Sequence, residues 1–153
     1  MSAPSEPKLR IAGYAALFDR ADAARDTIRP GAFTRTLAEK RGPFPLYWQH
    51  RPDQRIGWVE TVGEDERGLR VVASIDNPQG RAAKLLRERA VNGLSFGYRA
   101  SRYRHTPQGR ELAEIDLFEV SVVTHPLQDN ARVHFLSDPQ TPGATRPGRL
   151  ASA

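Results

Sequence analysis

The stretch E-L-A-E-I-D-L-F-E-V-S-V-V-T-H-P, residues 111–126, has the β-branched and aromatic content of a long, mostly buried strand. Alternation of side chains along a strand gives two faces at its end, Glu119, Ser121 and Val123 against Phe118, Val120, Val122 and Thr124. A glutamate in so apolar a run costs free energy unless another group pairs with it. Glu119 is therefore either a carboxylate that orients a catalytic base or half of a buried ion pair with an arginine, and the residues leave both open.

Strand and turn patterns also precede this stretch. Residues 9–18 and 43–50 have strand composition, and the runs I-G-W-V-E-T-V and L-R-V-V-A-S-I flank G-E-D-E-R-G as a hairpin would. Residues 94–103 alternate like a strand, and the turn H-T-P-Q-G-R, residues 105–110, joins them to the opening stretch.

Short helices are predicted in two places. The first follows Pro30, where Phe33 and Leu37 stand four residues apart. The second would begin at Asn77 and Pro78 and end at Gly93. The whole pattern predicts an α+β, mostly antiparallel β domain, with an antiparallel sheet or barrel and two or three helices.

Length and composition limit the possible chemistry. The 153 residues suit one domain, and the absence of cysteine excludes disulfides, thiolate zinc sites and cysteine nucleophiles. Covalent catalysis would need an oxygen or lysine nucleophile. With no apolar run of signal-peptide or membrane-spanning length, we expect a soluble cytoplasmic protein without a membrane partner.

Proline-rich ends frame the folded region. Residues 1–8 and 137–153 have no periodic apolar pattern, so we expect disordered tails on both sides of a domain at 9–136.

The net charge of +5 raises the question of nucleic-acid binding. One cluster combines basic and aromatic side chains: Tyr98, Arg99, Arg102, Tyr103 and Arg104. Such a cluster can contact phosphate, but it is more typical of a solvated strand face.

A serine between two glycines occurs in V-N-G-L-S-F-G-Y, residues 91–98. Gly93 and Gly97 would let a peptide substrate approach Ser95 and leave amides free to stabilise an oxyanion. The same glycines could instead form a helix cap and a β-bulge around a merely small residue.

A serine nucleophile needs a base, and the chain offers four histidines: His50, His105, His125 and His134. His50 ends an apolar strand before the polar loop R-P-D-Q, a place where an imidazole can be held firmly yet reached by substrate. His105 lies in a predicted turn and His134 near the end of the folded part, so both are treated as bystanders.

Two arrangements of a catalytic triad follow. The order Ser95, Glu119, His125 is that of α/β-hydrolases, but their nucleophile elbow joins a strand to a following helix, whereas here the helix precedes Ser95. The alternative combines His50, Ser95 and Glu119 on an antiparallel sheet.

Six motifs carry a family resemblance that runs in order over residues 12–135. They are G-Y-A-A-L-F-D, I-R-P-G-A-F, L-Y-W-Q-H, N-G-L-S-F-G-Y, L-F-E-V-S-V-V-T-H-P and N-A-R-V. Together they resemble the prohead (capsid maturation) serine proteases of tailed bacteriophages. The resemblance implies a single β-barrel-like core flanked by helices, similar to the herpesvirus assembly proteases (assemblin).

The resemblance also implies residue roles. His50 would be the general base, Ser95 the nucleophile and Glu119 the third member, with His125 as the alternative, because herpesvirus relatives use a second histidine there. A carboxylate is the better physical choice, since it stabilises the imidazolium by charge as well as by orientation. Oxyanion donors would come from Phe96 and Arg132, and neither metal nor cofactor is implied.

The function implied is an endopeptidase that processes scaffold and major capsid protein, and then itself, inside the assembling prohead in the bacterial cytoplasm. Portal and other prohead components, or a second copy of the chain, are further expected partners, and DNA contact is incidental. A catalytically silent assembly module, as in a prophage or gene transfer agent, and a basic nucleic-acid-binding domain are the alternatives.

Overall fold

The long strand β7, Gly109–Val123, is the centre of the sheet in the computed structural model, which describes residues 8–139. Along one edge it pairs antiparallel with β6, Gly93–Thr106. Along the other edge it pairs parallel with two short strands, β3 (Pro45–Trp48) beside residues 120–122 and β2 (Asp26–Ile28) beside 110–112. The strand that carries Glu119 therefore contacts three others.

The remaining strands extend the sheet away from β3. They are β1 (Leu9–Leu17), β4 (Arg51–Glu64), β5 (Gly68–Ile75) and β8 (Val133–Ser137), in the order β3-β4-β5-β1-β8 with antiparallel pairing throughout. The predicted strand at 9–18 and the predicted hairpin around G-E-D-E-R-G are confirmed.

The sheet differs from the expectation in two ways. It is mixed rather than purely antiparallel, because β2 and β3 both run parallel to β7. It also does not close into a barrel. Between β6 and the segment before β8, the described residues form no ladder, and an isolated bridge joins Gly93 to Arg132.

Residues 8–139 contain two short helices, α1 (Thr34–Glu39) and α2 (Arg81–Arg87). The predicted ends of α2 are wrong. Asn77 caps a preceding turn by accepting a 3.1 Å bond from the Gln79 amide, and the helix begins three residues after Pro78. Arg89, with φ of 58°, takes the left-handed position expected for Gly93, which instead lies in β6. In residues 8–139 no helix has the length and apolar content to span a membrane.

Alternation along β6 and β7 separates a core face from a polar face. Leu94, Phe96, Val120 and Val122 join the hydrophobic core, while Ser95, Glu119 and Ser121 lie on the opposite face. Gly97 pairs with Glu119 and Tyr98 with Leu117, so Phe118 is the extra residue of a β-bulge and is 54% exposed. The prediction that placed Phe118 with Val120 is therefore wrong.

The predicted C-terminal boundary falls inside an ordered segment. Ser137 pairs with Arg10, and Asp138 is 1% exposed and accepts a 2.6 Å bond from Arg87. The rest of the predicted tails, 1–7 and 140–153, lies outside the described residues.

A buried carboxylate joins β2 to the β6–β7 hairpin. The Asp26 side chain, 4% exposed, accepts bonds of 2.8 and 2.9 Å from Arg110 and 2.8 Å from the Tyr98 hydroxyl. The hydrogen bonds from Arg110, aided by Tyr98, lower the pKa of Asp26 against the opposing effect of burial. The charged form is thus the one that stabilises the fold.

We expect Asp26→Asn to lower the free energy of unfolding at pH 7 by about 1.5–3 kcal/mol, the range for hydrogen bonds to charged groups. Because the folded pKa is depressed, wild type loses this advantage as pH falls below about 4 and through the folded value. The difference between the two proteins in urea unfolding should shrink accordingly. Asp53→Asn, at an exposed position of β4, is the matched control. An equal deficit at pH 7 and pH 3 would contradict the role of the Asp26 charge.

Candidate active site

His50 lies in a two-residue turn between β3 and β4. Trp48 pairs with Arg51, and the two residues between them, Gln49 and His50, have φ of 53° and 60°. Positive φ at both central residues is the requirement of a type I′ hairpin turn. The expected polar loop after His50 is absent, because β4 begins at Arg51.

The imidazole of His50 contacts the buried Glu119 carboxylate. Nδ1 and Oε1 lie 2.5 Å apart, and the two side chains are 42% and 9% exposed. A carboxylate can only accept, so the imidazole proton belongs on Nδ1, which leaves Nε2 with a free lone pair. Of the two interpretations of Glu119, this contact favours the carboxylate that orients a base.

Ser121 joins the same network. Its hydroxyl donates to Glu119 Oε2 at 2.6 Å and accepts a 3.1 Å bond from the His50 backbone amide. Ser121 is not among the site residues predicted from the sequence. The signal that could have found it is its spacing of two from Glu119, which places both on one strand face.

Ser95 lies directly opposite Ser121 in the β6–β7 ladder, on the polar face of the sheet. Directly opposed residues have Cα atoms about 4.5–5.5 Å apart, so Ser95 is one step from the hydroxyl that binds His50. Within residues 8–139 the Ser95 hydroxyl makes no hydrogen bond, to His50 or to any other residue. In the same range, every side-chain oxygen that is fully buried has a hydrogen-bond partner. The Ser95 hydroxyl therefore reaches solvent, although the residue is only 3% exposed. Catalytic hydrogen bonds often tighten only when substrate binds.

Both flanking glycines make room for neighbouring protein atoms. A Cβ at position 97 would lie 2.6 Å from Glu119 Oε1, and one at position 93 would lie 2.6 Å from the Val123 carbonyl oxygen. Both glycines thus approach β7 closely, and Gly97 leaves the space that the Glu119 carboxylate occupies.

The two candidate oxyanion residues are placed differently. Leu94 donates to the Ala131 carbonyl at 2.8 Å, on the edge of β6 away from β7, and alternation puts the Phe96 amide on that same open edge. Arg132 turns its carbonyl toward Tyr14 of β1, and its guanidinium binds Asn92 Oδ1 at 2.8 Å and the Asp129 carbonyl at 2.6 Å. The geometry favours the Phe96 amide.

The other histidines do not contact this network. His125 is exposed beyond the end of β7, and no hydrogen bond links it to another residue in the range 8–139. His105 packs its ring against Tyr103, and His134 against Tyr14. The structure thus brings together Glu119 rather than His125 with His50.

The basic cluster on β6 is matched by carboxylates on β7. Arg99 binds Asp116 at 2.7 Å and Arg104 binds Glu111 at 2.5 Å, while Arg102 stands opposite Glu114. These pairings reduce the positive potential that binding to phosphate would require. They favour the interpretation of the cluster as a solvated strand face.

The chain is similar in sequence to proteins of tailed bacteriophages. The family model described as Caudovirus prohead serine protease matches residues 2–141. The prohead protease of Enterobacteria phage HK97 is 31% identical over 128 residues, covering 79% of this chain and 57% of that protein. The capsid polyprotein of Pseudomonas phage PAJU2 is 26% identical over 123 residues, covering 73% of this chain and 18% of the polyprotein.

Two solved structures have a similar fold. The Kaposi's sarcoma herpesvirus (KSHV) protease, in complex with a hexapeptide phosphonate inhibitor, superposes with a TM-score of 0.62 at 13% identity, over 95% of this chain and 74% of that one. The capsid assembly protease of bacteriophage T4 has a TM-score of 0.61 at 15% identity, with 77% and 82% covered. The expected herpesvirus-protease-like fold is confirmed, as an open mixed sheet.

We expect Gly97→Ala to displace the Glu119 carboxylate from His50, because the new methyl group would fall within 3.0 Å of three Glu119 atoms. Reaction of Ser95 with a fluorophosphonate should slow by roughly 10–100-fold, which is more than the unfolded fraction of the same sample accounts for. Gly63→Ala, where an added Cβ meets nothing within 4 Å, is the control. Labelling at the wild-type rate would show that Glu119 does not depend on this space.

Proposed function

Because the chain belongs to the Caudovirus prohead serine protease family, we propose that it is a serine endopeptidase with Ser95 as nucleophile, His50 as general base and Glu119 as the group that orients the base. The observation that carries this assignment is the 2.5 Å contact between His50 Nδ1 and Glu119 Oε1. Ser121, which binds the same carboxylate, lies directly opposite Ser95.

In the proposed reaction His50 Nε2 removes the Ser95 hydroxyl proton as Oγ attacks the scissile carbonyl. The imidazolium that forms is stabilised by the Glu119 carboxylate, whose second oxygen is held by Ser121. His50 then returns the proton to the leaving amine, and water hydrolyses the acyl-enzyme by the same base. The Phe96 amide, on the open edge of β6, stabilises the developing oxyanion.

We further propose that the substrates are the scaffold and the major capsid protein, with self-cleavage as a later step inside the prohead. Two similarities support this proposal. The family model is that of a prohead serine protease, and a related segment occupies part of a phage capsid polyprotein. Since the chain spans 57% of its HK97 relative, the assignment of these substrates depends on the experiment below.

Co-expression with a major capsid protein from the genome that encodes this chain tests the proposal. We expect Ser95→Ala and His50→Ala to leave the capsid protein uncut, with rate losses of about 10⁶-fold, and Glu119→Ala to lose about 10⁴-fold, as in other serine proteases. Ser101→Ala, at an exposed serine of the same strand, should cut like wild type. Processing at the wild-type rate by the Ser95 variant would refute the assignment.

The catalytically silent assembly module is separated from the enzyme by a serine-directed fluorophosphonate. An enzyme gains covalent mass at Ser95 as the Oγ–phosphorus bond forms and fluoride leaves, whereas a silent module stays unmodified. Labelling of Ser95 without cleavage of the capsid protein would support the assignment as an enzyme and contradict the proposed substrate.

A further inference from the structure

The turn that presents His50 has a backbone conformation that side chains disfavour. Gln49 and His50 both have left-handed φ, and neither is glycine. Such residues persist only where surrounding contacts determine them, and two in succession need more support than one. The contacts around this turn therefore decide where His50 lies.

Those contacts all lead to the end of β7. The Gln49 amide donates to the Val122 carbonyl at 2.9 Å, and the His50 amide to Ser121 Oγ at 3.1 Å. The Gln49 side chain adds a reciprocal pair with Thr124: its Nε2 donates to Oγ1 at 2.6 Å, and its Oε1 accepts from the Thr124 amide at 3.1 Å. Gln49 thus bonds to β7 through both its backbone and its side chain.

Packing does little to hold the imidazole itself, since the His50 side chain is 42% exposed. Its orientation depends on the turn backbone and on the bond to Glu119. Because β7 also carries Glu119, a turn attached to residues 121–124 keeps base and carboxylate in one frame.

We propose that Gln49 and Thr124 are positioning residues for the catalytic base: their reciprocal hydrogen bonds fix the left-handed turn so that His50 meets Glu119 and faces Ser95. This inference rests on the proposed protease function. Neither residue hydrogen-bonds to Glu119 or Ser95 in the part of the chain that the structure describes, so they act through His50.

A purely stabilising role for Gln49 makes a different prediction. Glycine accepts left-handed φ without strain, so Gln49→Gly relieves the backbone while removing the bonds to Thr124. If Gln49 only stabilises the turn, this variant should react as fast as wild type. If Gln49 positions the base, the variant should remain folded and react slowly.

The experiment measures the phosphonylation of Ser95 by a fluorophosphonate, separated into the maximal rate and the half-saturating concentration. Thr124→Val removes the hydroxyl but keeps the shape, and Thr124→Ser keeps the hydroxyl. We expect Thr124→Val and Gln49→Gly to lower the maximal rate by about 10–100-fold with little change in the half-saturating concentration. Thr124→Ser should restore most of the rate.

Arg89→Gly is the matched control for backbone strain. Arg89 is exposed, has φ of 58° and lies after α2. Its replacement should raise the melting temperature and leave the rate of labelling unchanged.

A second measurement does not depend on reactivity. The Nδ1 proton shared with Glu119 should give a low-field proton resonance, assigned by its loss in His50→Gln. We expect this resonance to broaden or move upfield in Thr124→Val and Gln49→Gly, and to persist in Thr124→Ser and Arg89→Gly.

The outcomes separate the two levels of inference. No labelling of wild-type Ser95 would overturn the protease function, and the proton resonance would still decide whether Gln49 and Thr124 hold His50. Wild-type labelling rates and an unchanged resonance in both Thr124→Val and Gln49→Gly would overturn the positioning role. A rate loss that only follows the unfolded fraction would overturn it as well.

Discussion

The buried Glu119 carboxylate is the constraint on which the rest of the site depends. A charge placed on a central strand is costly unless hydrogen bonds compensate it, and each oxygen of Glu119 has one such partner. Those partners require further features in turn. Gly97 must lack a side chain so that the carboxylate fits, and the His50 turn must bend back over β7 so that Nδ1 can reach it.

Strand β7 contributes to both the hydrophobic core and the candidate active site, one on each of its two faces. Val120 and Val122 fill the core, while Glu119 and Ser121, which alternate with them along the strand, face the site. The bulge at Phe118 lets Leu117 and Val120, three residues apart, both face the core. Without the bulge, alternation from Leu117 on the core face would place Glu119, two residues later, on the core face as well.

Local patterns in the sequence pointed to Glu119 and Ser95 within strands and to His50 at the end of an apolar run, and the structure places His50 beside Glu119. They did not indicate the parallel pairing of β3 with β7, which depends on contacts between residues about 70 positions apart rather than on neighbouring residues. That pairing is what brings the turn after β3 over Ser121. The bonds between Gln49 and Thr124 therefore could not be predicted, since they join distant segments, whereas Ser121 has a local signal in its spacing of two from Glu119. The sequence shows that Gly97 flanks Ser95, but the side chain that requires a glycine there, Glu119, lies on the opposite strand.

The open sheet has a consequence for the nucleophile. A closed barrel would pair the outer edge of β6 along its length, but here the backbone bonds to that edge come from residues 131–133 and end at Leu94. Ser95 is the next residue. The ladder thus ends where a nucleophile needs an approachable backbone, and the Phe96 amide is left without a strand partner in the described chain. Because no strand of the described chain pairs with this edge beyond Leu94, the backbone beside Ser95, the proposed nucleophile, stays open to an approaching peptide.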